Sequence, residues 1–168
     1  MSENPYAPPE SSLADEIAAP GVDSELATLS QRFFGSLIDS ILVGSINLAI
    51  MYPFGYFDAI QSGVIPLDLT LIALGTGYVV FLVLHGYLLA TQGQTVGKRL
   101  VGTRIVDVET GEVPPFWRIF GLRYVVLGLA TLIPFIGSLV GLIDALMIFG
   151  KQRRCAHDYI AQTQVVLA

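Results

Sequence analysis

The segment Arg32-Phe-Phe-Gly-Ser-Leu-Ile-Asp39 runs directly into Ser40-Ile-Leu-Val-Gly-Ser-Ile-Asn-Leu-Ala-Ile-Met51. From Phe33 to Phe54 the one ionisable residue is Asp39, and this length is about the 20 residues that a helix needs to cross a bilayer. At about 100° per residue, small and polar residues share one helical face and most other positions are apolar. That face consists of Arg32, Gly35, Ser36, Asp39, Val43 and Asn47.

A carboxylate inside a membrane helix needs a partner, because inserting it costs about 2.5–3.5 kcal/mol. The sequence therefore predicts that the polar face of this helix turns toward the rest of the protein. The composition agrees with a membrane protein: 53% of the 168 residues are hydrophobic, 14% are charged and the mean hydropathy is +0.65. A soluble domain carries about 25% charged residues.

The acidic pI of 4.8 is a property of the N-terminal segment. Residues 1–31 contain six acidic residues and no lysine or arginine, whereas the rest of the chain has a net charge of +1. We predict that residues 1–28, rich in proline, alanine and acids, form a disordered cytoplasmic tail. A docking motif around Tyr6 is the less favoured interpretation of this tail. The sequence has no basic stripe of the kind that binds nucleic acid, so no nucleic-acid partner is predicted.

The first helix is predicted over about Leu29–Tyr52, and it serves as the targeting signal because no signal peptide precedes Arg32. An aromatic loop follows over Pro53–Pro66, and a second helix over about Leu67–Thr91 contains His85. A single cysteine, Cys155, excludes an intrachain disulfide.

The next segment, 92–104, is polar, basic and rich in glycine. Residues 105–113 are typical of a strand followed by a turn that contains glycine. The C-terminal segment 157–167 ends in a second β-type run. We predict that the two runs pair as a small cytoplasmic β element beside an otherwise all-α membrane protein.

The third apolar tract, 119–149, has two interpretations. As one helix its 31 residues would be about 46 Å long, against about 30 Å of hydrocarbon; the alternative is a hairpin of two short helices broken around Pro134. Basic residues flank the tract on both sides and should share the cytoplasmic side, which favours the hairpin. They are Lys98, Arg99, Arg104, Lys151, Arg153 and Arg154. The fold class is then a multi-pass helical bundle of three to four membrane segments with both termini in the cytoplasm.

Four ionisable residues fall at a similar depth in that topology, about 10 Å below the cytoplasmic surface: Asp39, His85, Arg123 and Asp144. By depth, Arg123 is a better partner for Asp39 than Arg32 is. An intramembrane cluster of this kind is a candidate transport site. An Arg–Asp pair that only holds the bundle together is an equally weighted alternative.

Motifs for catalysis are weak. The sequence Gly93-Gln-Thr-Val-Gly97-Lys98-Arg99 lacks the spacing and the Ser or Thr of a phosphate loop. Cys155, His157 and Asp158 include metal-binding residue types, but their spacing matches no standard zinc site. The sequence therefore predicts no cofactor, no metal site and no enzyme.

Four separated features together resemble the RDD family of bacterial membrane proteins, which is named for one arginine and two aspartates. They are Arg32, Asp39, the segment 95–107 and the segment 157–166. Arg32 and Asp39 look like the arginine and the first aspartate, and the resemblance covers about residues 32–166. The second aspartate is either Asp107 or Asp158, of which we favour Asp158. The remaining motif residues are Thr95, Gly97, Lys98, Arg99, Gly102, His157 and Thr163.

The resemblance implies an RDD-like transmembrane domain over residues 29–168 in the bacterial cytoplasmic (inner) membrane. Most members have no assigned activity and some have been linked to sodium/proton exchange. Two function classes stay open: a cation/proton antiporter, expected to be a homo-oligomer, and a non-catalytic membrane scaffold that binds a partner. The expected transport residues are Arg32, Asp39, His85, Arg123 and Asp144; the expected partners are the lipid bilayer and, for the antiporter, cations and protons.

Overall fold

The computed structural model describes residues 25–130, 132–133 and 136–168. Most of the predicted acidic tail, including Tyr6, lies outside the described residues. Its last four residues were wrongly placed in the tail, because Leu26 bridges to Val166 and the N–H of Ala27 donates to the carbonyl of Val165 at 3.1 Å. The folded part of the chain thus begins before the first helix.

Helix α1 spans Leu29–Met51. It begins at Thr28, whose hydroxyl accepts a bond from the Gln31 N–H at 3.3 Å while the Gln31 side chain accepts one from the Thr28 N–H at 3.0 Å. This reciprocal capping satisfies two N–H groups that a helix start leaves unpaired. Farther along the predicted polar face, the Asn47 amide donates to the carbonyl of Ala73 at 3.1 Å. That face therefore packs against other elements, as predicted.

Helix α3 spans Leu67–Gln92. It follows Pro66 and ends at Gly93, which has φ of +65°; a Cβ there would collide with the carbonyl of Ile105, so glycine is required. Both α1 and α3 are long and apolar enough to cross a membrane, and only 6% and 11% of their most apolar windows are buried in the protein. Exposed apolar surfaces of this size are typical of helices that contact lipid or another protein.

The segment between these helices is not a simple loop. A 3₁₀ turn, Tyr52–Phe54, is followed by the short helix α2, Tyr56–Ser62. Gly55 and Gly63 flank α2 with φ of +75° and +74°. The two glycines supply both chain reversals, so the residues between them are free to form a helical turn.

The basic segment folds as the short helix α4, Val96–Leu100, followed by strand β1, Thr103–Asp107. Strand β2, Thr163–Leu167, pairs antiparallel with β1, with Ile105 opposite Val165. The pairing of these two runs is confirmed. β1 ends at Asp107, whose carboxylate accepts bonds from the N–H groups of Glu109 and Thr110 at 2.8 and 3.0 Å and turns the chain. The strand is thus followed by a turn that contains Gly111, as predicted.

The third apolar tract is not one long helix. It comprises a π-helix, Arg118–Val125, continuing into α5, Val126–Ala130, and then the separate helix α6, Ile136–Leu146, with a 3₁₀ turn at Met147–Phe149. The short helix α7, Ala156–Ile160, leads to β2. The chain reverses after α5, since Asp144 of α6 and Arg123 of the π-helix line the same cavity.

A small core holds the sheet against the end of α3. Its fully buried members are Ala27, Leu89, Ile105, Ile119 and Val165. Aromatic rings from α3 and the π-helix pack on this core, with the rings of Phe81 and Tyr124 4.6 Å apart. The sheet, α4 and α7 are thereby fixed beside the polar end of the long helices, where the candidate site lies.

Candidate functional site: two arginines on Asp158 and two aspartate–histidine pairs

Asp158 is the centre of what we call the arginine cluster, formed by Arg32, Arg123 and Asp158. The Asp158 side chain is completely buried, and each arginine donates a charge-assisted hydrogen bond to a different carboxylate oxygen. Arg123 also donates to the Thr163 hydroxyl at 2.9 Å, and Arg32 donates to the carbonyl of Arg153. Two arginines on one carboxylate fix three chain segments that are distant in sequence.

Local structure places each member of the arginine cluster. The Asp158 carboxylate accepts the N–H of Cys155 at 3.0 Å at the start of α7, so it caps this helix while it binds the arginines. Arg123 projects from the π-helix, whose wider turn alters the direction of its side chains relative to an α-helix. Arg32 lies in the first turn of α1.

Asp39 does not contact either of these arginines. Its carboxylate accepts the hydroxyl of Thr95 at 2.5 Å and the backbone N–H of Gly97 at 2.7 Å, both at the start of α4. The Thr95 hydroxyl also accepts the N–H of Lys98 at 3.3 Å, so one side chain caps α4 and joins it to α1. The prediction that Arg123 pairs with Asp39 is wrong, because Arg123 is turned toward Asp158.

Gly97 permits this approach between α1 and α4. A Cβ at Gly97 would collide with the carbonyl of Gly35 and lie 2.8 Å from a carboxylate oxygen of Asp39. The absence of a side chain therefore brings the Gly97 N–H within hydrogen-bonding reach of the carboxylate. This contact gives the motif around Thr95 and Gly97 a physical purpose: it binds Asp39 with neutral donors.

His85 lies beside Asp39 and is fully buried. Its Nδ1 accepts the N–H of Val96 at 3.2 Å, which places the proton of the neutral ring on Nε2. That Nε2 has no hydrogen-bond partner among the described residues and lies 3.7 Å from a carboxylate oxygen of Asp39. Asp39 and His85, the Asp39 pair, thus sit close together without a direct hydrogen bond.

Asp144 and His157 form a second pair, the Asp144 pair. Nδ1 of His157 lies 2.8 Å from both oxygens of the Asp144 carboxylate, and the His157 backbone N–H donates to one of them at 2.9 Å. Burial and, next, the charge of nearby Arg123 lower the pKa of His157 to about 4, although the Asp144 carboxylate raises it. The imidazole is therefore neutral at physiological pH.

Cys155 completes a trio with Asp144 and His157 whose possible ligand atoms lie within 4.8 Å of one another. Sequence spacing missed this combination because Asp144 belongs to a different helix. Burial raises the pKa of the Cys155 thiol, and Arg32 lies 3.8 Å from the sulfur. A protonated thiol beside a guanidinium is a poor metal ligand, since metals bind the thiolate.

Asp39 and the Asp144 pair line adjoining cavities. The first cavity, of about 620 Å³, is lined by Arg32, Arg123 and the Asp144 pair. The second, of about 430 Å³, is lined by Asp39, Ser40 and Tyr124. Ser36 and Lys98 line both cavities. Asp158 lines neither, which separates it from the other two carboxylates.

Comparison with known proteins agrees with the resemblance found in the sequence. A model of the RDD family matches residues 26–162. The chain belongs to the RDD family. No curated protein and no solved structure matches it.

The remaining RDD motif residues have distinct environments. Asp107 is partly exposed and binds Arg118 as well as the turn that it caps. Gly102 lies in a turn with φ of +69°, and Arg99 is exposed. Lys98, in contrast, is only 7% exposed. Of the two candidates for the second RDD aspartate, Asp158 is the one that contacts Arg32, and this contact favours our prediction.

The four residues predicted to share one layer divide between two neighbouring groups. Asp39 and His85 lie together, whereas Arg123 lies with Asp158 and near Asp144. Sequence reasoning underestimated Asp158 and His157, which lie outside the apolar helices. The sequence signal that pointed to them is the RDD resemblance, in which His157 is a motif residue and Asp158 is the favoured second aspartate.

Proposed function

We propose that this RDD protein exchanges protons for cations across a bacterial cytoplasmic membrane, with Asp39 and Asp144 as the exchanging groups. One observation supports this most directly. Both carboxylates line a cavity and lie within 4 Å of an imidazole without contacting an arginine, while Asp158 is fixed by two arginines. A carboxylate that is not paired with a fixed charge can take up either a proton or a cation.

The chemistry of exchange follows from this competition. A deprotonated carboxylate binds a cation, and protonation releases the cation because the neutral acid is a poor ligand. Beside Asp39, the hydroxyl-bearing residues Ser36 and Ser40 line the second cavity and offer oxygen ligands. Oxygen donors are preferred by hard cations, so the expected cargo is a hard cation such as an alkali-metal ion.

Each imidazole supports a different aspect of the same reaction. His85 holds its Nε2 proton 3.7 Å from Asp39, where a small shift or one water connects the two groups. His157 contacts both oxygens of Asp144, so a cation that binds there must displace or share that contact. The adjoining cavities, which share Ser36 and Lys98 in their walls, support a single route past the two carboxylates.

The proposal includes a multi-pass topology with both termini in the cytoplasm. It is supported by α1 and α3, by the reversal in the third apolar tract and by basic residues on both sides of that tract. Because native Cys155 is buried, the test uses a Cys155→Ala background. Phe57→Cys should react with an impermeant thiol reagent from outside the cell, and Gln152→Cys only after permeabilisation; the reverse pattern contradicts the topology.

Four short membrane segments provide little depth for a transport route, so we also propose that the protein acts as a homo-oligomer. The proposal is for a transporter and not for an enzyme. The non-catalytic scaffold is the alternative if purified protein moves no ions.

The test is cation-dependent dissipation of a proton gradient in vesicles that contain only this protein. Wild type should dissipate the gradient with at least one alkali-metal cation. Asp39→Asn and Asp144→Asn should each reduce the rate by about tenfold or more, because the amide cannot exchange a proton. The matched control is Asp68→Asn, an exposed aspartate at the start of α3, which should keep the wild-type rate.

Folding must be verified for every variant by a monodisperse elution profile in detergent. Folded wild type that shows no exchange with several cations and at several pH values would exclude the antiporter and leave the scaffold. Exchange that persists in both aspartate variants would contradict the assignment of the exchanging groups.

A further inference from the structure

Lys98 is a buried cation without a partner. It is 7% exposed, yet among the residues that the structure describes no carboxylate lies within 4.0 Å of its ammonium and no acceptor receives a hydrogen bond from it. The Lys98 stem is buried, but its ammonium keeps access to the cavities that the residue lines. Arg32 and Arg123, equally buried, both bind Asp158. Lys98 is therefore available to bind an anion that is not part of the chain.

The side chain of Lys98 lines the first cavity, together with Arg32 and Arg123. One carboxylate, that of Asp144, also lines this cavity, and Asp158 lies behind the two arginines. Asp158 lies outside the cavity and pairs with the two arginines, so Lys98 is the cation of this lining that neither Asp158 nor Asp144 contacts. An anion bound in the cavity would give the Lys98 ammonium a direct contact, which Asp39, on the second cavity, does not make within 4.0 Å.

The rest of the cavity wall is apolar and open. Phe33, Phe34 and Phe149 line it and are 62%, 54% and 72% exposed. The cavity volume of about 620 Å³ is in the range of small-molecule sites. A buried cationic floor and an exposed aromatic rim together match a ligand that has an anionic head and an apolar tail.

We propose that this cavity binds the phosphate headgroup of an anionic phospholipid, with Lys98 as its principal contact and Arg32 beside it. The acyl chains lie along Phe33, Phe34 and Phe149 on the outside of the bundle. Two observations favour a lipid over free phosphate. The rim is made of exposed rings on an apolar helix, and the exposed Lys151 and Arg153 follow Phe149 in the chain, where basic residues attract the anionic surface of a membrane.

The experiment measures binding to the delipidated full-length protein in detergent. The ligands are phosphatidylglycerol, phosphatidylcholine with the same acyl chains, and inorganic phosphate; native mass spectrometry gives stoichiometry and affinity. We expect one phosphatidylglycerol per chain, bound more tightly than either of the other ligands. Lys98→Gln should weaken phosphatidylglycerol about tenfold, the loss of one charge-assisted contact.

Arg99→Gln is the matched control, because it removes a positive charge from an exposed position on the same short helix as Lys98 but outside the cavity; it should leave the affinity nearly unchanged. If Lys98→Gln does not fold, Lys98→Arg and Phe149→Ala replace it. Lys98→Arg should retain selectivity for phosphatidylglycerol over phosphatidylcholine. Phe149→Ala should weaken binding of the long-chain lipid and leave inorganic phosphate unaffected.

Three results would overturn the proposal: equal affinity for phosphatidylglycerol and phosphatidylcholine, wild-type affinity in folded Lys98→Gln, or inorganic phosphate binding as tightly as the lipid. The last result would assign the site to free phosphate. The measurement requires no ion gradient. A failure here therefore leaves the exchange proposal standing, and a failure of exchange leaves this one standing.

Discussion

Asp158 and Asp39 both lie near the polar end of the long helices, but their partners differ in kind. Asp158 is fully buried and binds two guanidinium groups. Asp39, with 13% of its side chain exposed, receives a hydroxyl and a backbone N–H and has an imidazole 3.7 Å away. The first carboxylate is bound by two fixed positive charges, whereas the second is bound by neutral donors.

This difference predicts different costs for removing each carboxylate. Removing a carboxylate from between two arginines leaves two buried charges uncompensated. Removing a carboxylate that is bound by neutral groups leaves unpaired dipoles only, which cost less. The Asp144 pair resembles the Asp39 pair in this respect, since its partner His157 is neutral near pH 7.

The largest effect is expected for Asp158→Asn. The amide keeps the shape of the side chain but leaves Arg32 and Arg123 without a counter-charge, so the free energy of unfolding should fall by about 3–5 kcal/mol. Chemical denaturation in detergent measures this loss. Asp39→Asn should lose less than half as much, and equal losses would contradict the comparison.

Chemical denaturation in two double-mutant cycles tests whether Arg123 pairs with Asp158 or with Asp39. Arg123→Ala and Asp158→Asn should couple strongly, because the two side chains are in contact. Arg123→Ala and Asp39→Asn should be additive within about 0.5 kcal/mol, as expected for residues without a shared partner. Strong coupling between Arg123 and Asp39 would instead support the pair that was predicted from depth.

An intermediate effect is expected from acidification at His157. Its pKa is about 4 in the folded protein, against 6.5 for an ordinary histidine, so between these values the unfolded chain binds more protons. Stability is therefore complete above pH 6.5 and declines as the pH falls toward 4, by up to about 3 kcal/mol. Unfolding at pH 7.5, 6 and 5 measures the slope.

His157→Asn is the control for this pH dependence, since asparagine does not titrate. The difference in slope between wild type and the variant isolates the histidine from the carboxylates. Identical slopes in the two proteins would show that His157 is not the group responsible.

The smallest effect is expected for Arg118→Gln. Arg118 pairs with Asp107, but their side chains are 21% and 13% exposed. Burial raises the pKa of Asp107, and the Thr110 N–H and Arg118 together outweigh it, so that the pKa lies below its ordinary value. Because the turn still donates two N–H groups to Asp107 in the variant, the loss should be about 0.2–1 kcal/mol.

Denaturation of Arg118→Gln beside Arg123→Gln measures the contrast between an accessible and a buried Arg–Asp contact. A loss in Arg118→Gln as large as that in Arg123→Gln would mean that burial does not decide the contribution of these pairs. The comparison between Asp158 and the other aspartates would then fail as well.

Local sequence patterns were enough to predict the long elements. The apolar run after Arg32 and the one that contains His85 became α1 and α3, because apolar runs of this length are stable as helices irrespective of their neighbours. The two β-type runs pair in the predicted way. Residues 53–66 were predicted as a loop but contain α2, and the cause is local. Gly55 and Gly63 make the turns at either end, so the residues between them can form a helix.

The partners of the charged residues depended on packing. Spacing along a helix gives the depth of a residue in the membrane, and by depth Arg123 matched Asp39. The direction of a side chain around the helix axis also matters, and Arg123, in the π-helix, points to Asp158. Lys98 belongs to a basic, glycine-rich segment that is typical of an exposed loop. It is buried because Gly97 allows α4 to lie against α1, a contact between segments that are 58 residues apart at Gly97 and Asp39. The sequence by itself therefore determined the two long helices, the two β-type runs and the family, since these depend on patterns within one segment. The tertiary structure alone decided which charges meet, because that depends on the rotation and approach of segments that are distant in the chain.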